Sequence, residues 1–112
     1  MAANPEKGEV DLPVGGKTYT LCFTTNSISV VEQLMGGEAF TTIAMDWMGR
    51  KDISTLRLLT HGALLKHQPS LSLFDAGDII DEIGAGGFEA LGAALGEAIR
   101  FRFPPVDEPA SE

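Results

Sequence analysis

The chain has 112 residues, 44% hydrophobic and 21% charged, with 13 Gly and six Pro, a balance that suits one domain with a single core and many short elements. Sixteen acidic side chains against eight basic ones leave a formal net charge of −8, and no basic stripe interrupts it. That surface opposes nucleic acid, whose binding relies on Lys and Arg displacing counterions from a polyanion.

Residues Met1 to Lys7 lack the apolar centre of a signal peptide, and no apolar run approaches the roughly 18 residues of a membrane helix. The sequence shows no internal repeat, which excludes a solenoid. One domain is expected over 1–103, with a hairpin at about 8–24 and helices at about 26–101. Val10, Leu12 and Val14 alternate with polar or proline positions; Gly15-Gly16 intervenes; Tyr19, Leu21 and Phe23 then alternate with Thr18, Thr20 and Cys22. This is a β-hairpin signature. A two-residue loop pairs Val14 with Lys17, Leu12 with Tyr19 and Val10 with Leu21, which makes one face continuously apolar. Pro13 has no N–H to donate, so its strand should have a free edge there. The lone Cys22 has no partner for an internal disulfide and reads as a free buried thiol.

From Asn26, read as an N-cap, the period becomes helical: Ile28, Val31, Leu34 and Met35 share a face until Gly36-Gly37. Phe40, Ile43, Ala44 and Trp47 form the stripe of a second helix, ended by Gly49. A third starts near Asp52 and carries Ile53, Leu56, Leu59, Ala63 and Leu64, with extra leucines at 58 and 65. This wide stripe marks it as the central helix, and Pro69 marks its end. Ser72 and Asp75 form a capping box for a fourth helix, with Leu73, Ala76, Ile80 and Ile83 facing inward. Gly84 to Gly87 break it. Phe88, Leu91, Leu95, Ala98 and Ile99 form the last stripe, with Gly92 and Gly96 spaced for close helix contact. The fold class is therefore α+β and mainly helical, an N-terminal β-hairpin followed by four to five short helices in a small bundle. Residues 104–112, with three prolines and three acids, read as a disordered acidic tail.

The chemical motifs are weak. Gly15-Gly16-Lys17-Thr18 ends like a P-loop, but Asp11 stands where that loop needs glycine and a strand follows it. Gly84-Ala85-Gly86-Gly87 lacks the last glycine of a dinucleotide fingerprint and any strand before it. His61 and His67, six apart and read as surface or boundary residues, fall on different sides of a helix and cannot share a metal. Asp75, Asp78, Asp81 and Glu82 fit a solvated helix face better than a carboxylate site. No nucleophile set, metal site or cofactor site emerges, and the expectation is a protein without catalytic activity. Met35, Met45 and Met48 beside Trp47 offer adaptable apolar area, either as core filling or for an irregular partner. Phe101 and Phe103 are either final core anchors or a docking strip. These six residues are the candidate partner-binding set.

The run Asn4-Pro5-Glu6-Lys7-Gly8-Glu9-Val10, then Val14 to Leu21, then a helix with Glu32 before Gly36, resembles the tail assembly chaperones of tailed phages and gene transfer agents. His61 to Gln68 and Leu73 to Asp81 are similar to later parts of that family, so the resemblance spans about residues 4 to 100. It rests on glycines and apolar positions that define a fold, not on reactive groups. It implies a chaperone without catalytic activity that binds the tape measure protein and keeps it soluble until tail-tube subunits polymerise around it. The implied partners are the tape measure protein, the tail-tube protein and further copies of the chain, with no nucleic acid and no membrane. The implied place is the cytoplasm of the bacterial host, not the mature virion. The alternative is a structural tail-tube or connector component retained in the particle.

Overall fold

A computed structural model describes residue 4 and residues 7–103; the tail expected at 104–112 lies outside the described residues. The hairpin pairs β1 (Val10–Val14) with β2 (Lys17–Leu21) in antiparallel register, Val14 opposite Lys17, Leu12 opposite Tyr19 and Val10 opposite Leu21. Gly15 alone of the two turn residues has a positive φ, +60°, which only glycine adopts readily at the first central position of a hairpin turn. The glycines that imitate a P-loop are the turn itself. Among the described residues the sheet has two strands, so the far side of β1 pairs with no third strand. Pro13 lies opposite Thr18, where the backbone nitrogen of a two-residue hairpin points away from the partner strand, and a proline there removes a donor from the free edge.

Five helices follow: α1 (Thr25–Leu34), α2 (Phe40–Arg50), α3 (Ile53–Leu64), α4 (Leu73–Ile83) and α5 (Phe88–Arg102). The α+β, mainly helical class expected from sequence is the one observed. The cap of α1 is Thr24, not Asn26. Thr24 and Ser27 form a reciprocal capping box with bonds of 2.8 and 3.1 Å, so the hydroxyl pair wins over the amide two residues later. Ala39 cannot cap α2. Instead the Glu32 carboxylate in α1 accepts the Phe40 N–H at 2.8 Å, so the glutamate before Gly36 acts as a helix cap across the loop. Helix α2 also runs past Gly49 to Arg50, and Lys51 ends it in the left-handed region at φ +54°.

Asp52 caps α3 through the Thr55 N–H and hydroxyl, interactions that hold its carboxyl below the usual range, the Thr55 hydroxyl most strongly. Helix α3 stops at Leu64, five residues before Pro69, in a turn closed by the Gln68 N–H to the Leu64 carbonyl. It is the central helix: Leu59, Ala63 and Leu64 are fully buried, and α1, α2, α4, α5 and β2 all pack on it. Gly62 makes one of these contacts possible, since a Cβ there would lie 2.5 Å from Val31 Cγ2. His61, expected near the surface, is buried. Burial depresses its pKa below the ordinary 6.5, partly offset by a hydrogen bond with the Ser72 backbone.

The Ser72–Asp75 capping box opens α4, which buries Ala76, Ile79 and Ile80. Helix α5 buries Leu91, Leu95 and Ala98. Of its two spaced glycines only Gly92 meets another helix; the nearest group to Gly96 is the Arg100 side chain of α5 itself. Cys22 is a free, buried thiol, with its pKa raised by that burial, and it donates to the Lys7 carbonyl at 3.5 Å. Glu9 ties the hairpin to the loop after α3 through His67 at 3.1 Å and Lys66 at 4.0 Å. Its carboxyl is lowered first by the Asn4 backbone N–H and then by His67.

Candidate functional site

The helix order leaves a groove between α2 and α5, and a second depression beside it between α3 and α4. The first, of about 550 Å³, is lined by Trp47, Met48, Lys51, Leu56, Phe88, Glu89, Gly92 and Ala93. The second, of about 450 Å³, includes Ile53, Arg57, Phe74, Asp78, Asp81 and again Phe88. Phe88 is the ridge between them. Its position follows from the α4–α5 corner, where a Cβ on Gly87 would run into the Ile83 side chain. Only glycine lets the chain turn that closely, and the next side chain is thrown outward.

The groove walls are set by local sequence. Gly92 lies under the indole of Trp47, where a Cβ would come within 3.3 Å of the ring, so the missing side chain leaves room for the ring against α5. Trp47 is partly buried against the core, and its indole N–H is enclosed without a hydrogen-bond partner among the described residues. The left-handed Lys51 that stops α2 also lines the groove. On α4, Phe74, Asp78 and Asp81 follow at i, i+4 and i+7, which places them on one helical face. That face is turned from the core: Phe74 is 80% exposed.

The six candidate residues fall into three groups. Met45 and Met48 are 73% and 66% exposed, and Met48 and Trp47 line the first groove. Met35 packs, partly buried, against the core. Phe101 and Phe103 lie at the other end of α5 from Phe88, about 20 Å away along a helix rising 1.5 Å per residue. There the Phe103 ring stacks on the buried Phe40 at 5.7 Å, with the Arg102 guanidinium 5.5 Å from its centroid.

Ile53, Phe74 and Phe88 complete the apolar track. Phe88 and Ile53 fit the inward stripes of their helices and are exposed because both stand in a first turn. Phe74 carried a readable signal, a large aromatic in register with two aspartates on the polar side of α4. Among the described residues no group of three His, Cys, Asp or Glu side chains is arranged to hold a metal, and no helix is long and apolar enough to cross a membrane. Comparison of the chain with protein-family models, with curated proteins and with solved structures gave no match.

Proposed function

We propose that the chain is a chaperone without catalytic activity that binds the tape measure protein of a long-tailed particle and keeps it soluble for tail-tube polymerisation. The observation that carries this reading is the uncovered apolar track of Met48, Phe88, Ile53 and Phe74 over two adjoining depressions. A helix laid in such a groove removes those side chains from water, at about 1.5 to 3 kcal/mol for each one fully buried. A tape measure protein exposes long amphipathic helices before the tube encloses them. Repeated modest contacts along it give avidity while leaving each copy displaceable by tube subunits.

The work belongs in the cytoplasm of the bacterial host, before the virion is complete. The alternative, a tail-tube or connector subunit retained in the particle, would extend a sheet from one copy to the next. The hairpin is short and its β1 edge carries Pro13, which disfavours that use.

Co-expression with the tape measure protein of the same particle tests the proposal. The expected result is a soluble tape measure protein in the presence of this chain and an insoluble one without it. Equal insolubility in both cases would refute the proposal. Stoichiometric recovery of the chain in purified particles would favour the structural alternative.

A further inference from the structure

The two depressions differ in charge. The first is lined by one base, Lys51, and one acid, Glu89, so its charge is balanced. The second sets Asp78 and Asp81 against Arg57. Arg57 is partly buried and lies over Gly77, with its Cδ 3.4 Å from where a Cβ there would stand. Among the described residues neither aspartate forms an ion pair within 4.0 Å; the pairs present are those of Glu9. Helix α4 contributes four acids and no base, and the chain as a whole stands at −8.

We propose that the groove takes an amphipathic helix with Arg or Lys beside its apolar stripe, the stripe resting on Met48 and Phe88 and the cation on Phe74, Asp78 and Asp81. This deepens the chaperone reading and rests on it. An aromatic face with two carboxylates one and two turns on offers a cation both ring attraction and charge-assisted hydrogen bonds. An acidic helix would meet Asp78, Asp81 and Glu89 with like charge, which selects against it.

Trp47 is the only tryptophan and lines the groove, so its fluorescence reports occupancy. The test titrates the full chain with two helical peptides sharing one leucine stripe, flanked by Arg in one and by Glu in the other. The Arg peptide should shift Trp47 emission and bind about tenfold tighter at low salt, with the gap closing near 1 M salt, where charges are screened beyond about 3 Å. In the double variant Asp78→Lys with Asp81→Lys, shown to be folded by circular dichroism, the preference should reverse.

Equal or tighter binding of the Glu peptide, or an unchanged preference in the variant, would overturn the inference while leaving the chaperone reading intact. A Trp47 signal that follows the protein's own concentration instead would assign the groove to a second copy and also overturn it. Failure of both peptides, with the tape measure protein still held soluble, would remove the groove as the docking face without removing the function.

Discussion

At the start of α5 Phe88 is 38% exposed, and at its end Phe101 and Phe103 are 39% and 38% exposed, yet the surroundings differ. The C-terminal end is knitted into the fold. Phe103 stacks on Phe40, which in turn meets Phe23 at 5.0 Å. The Arg102 guanidinium donates to the Thr25 hydroxyl at 3.1 Å, and a Cβ on Gly8 would touch Phe101 at 3.5 Å. At the N-terminal end Phe88 separates two open depressions. Equal exposure therefore covers two situations, a ring that closes the edge of a core and a ring with room for another molecule on either side. Neighbours distinguish them where fractional area does not.

Substitutions along α5 should separate these roles. Leu95, fully buried between the two ends, sets the scale: Leu95→Ala should cost about 3 kcal/mol in denaturant unfolding, as a large-to-small change in a packed core does. A loss below about 1 kcal/mol would mean that α5 is loosely held and that its ends cannot be compared as fixed surfaces. Phe103→Ala should cost about 1 to 2 kcal/mol through the lost stacking on Phe40, with tape measure binding unchanged. Phe88→Ala should do the reverse, altering stability by no more than about 0.5 kcal/mol and weakening binding about tenfold. If both variants lose stability and neither loses binding, the contrast between the ends is broken.

The paired change Met45→Asp and Met48→Asp extends the same test to α2. Both side chains are exposed, so helical circular dichroism and the thermal midpoint should stay as they are while solubilisation of the tape measure protein falls. Loss of helical signal would show that the methionines contribute to the core.

The hairpin and most core-facing positions of the helices are legible in sequence because period and register follow from single residues, although Leu34, expected on the inward face of α1, is 50% exposed. Gly15-Gly16 fixed the pairing of Val14 with Lys17, and the wide leucine stripe of α3 marked the centre. Helix ends were harder to read, since competing caps lay within two residues of each other at Thr24 and Asn26. Met45 and Met48 stand out by residue type alone, whereas Trp47 also completes the apolar stripe of α2. What periodicity cannot convey is how far neighbouring helices diverge. Ile53 and Phe88 have core-like spacing but stand exposed in first turns, and Met35 is the same residue type as Met48 while packing against the core.

A smaller effect concerns the last turns of α3. His61 is buried there with its pKa depressed, so the unfolded chain takes up a proton at a higher pH than the folded one does. Stability should be level above about the unfolded value of 6.5 and should decline as pH falls below it toward the folded pKa. His61→Gln should remove this slope between pH 7 and pH 5. A slope that persists unchanged in the variant would place the titrating group elsewhere.

The most direct measurement places a photoreactive phenylalanine analogue at position 74, 88 or 103 in turn and maps cross-links to the co-expressed tape measure protein. The account predicts cross-links from positions 74 and 88 and none from 103. Cross-links from 103, with positions 74 and 88 silent, would contradict it.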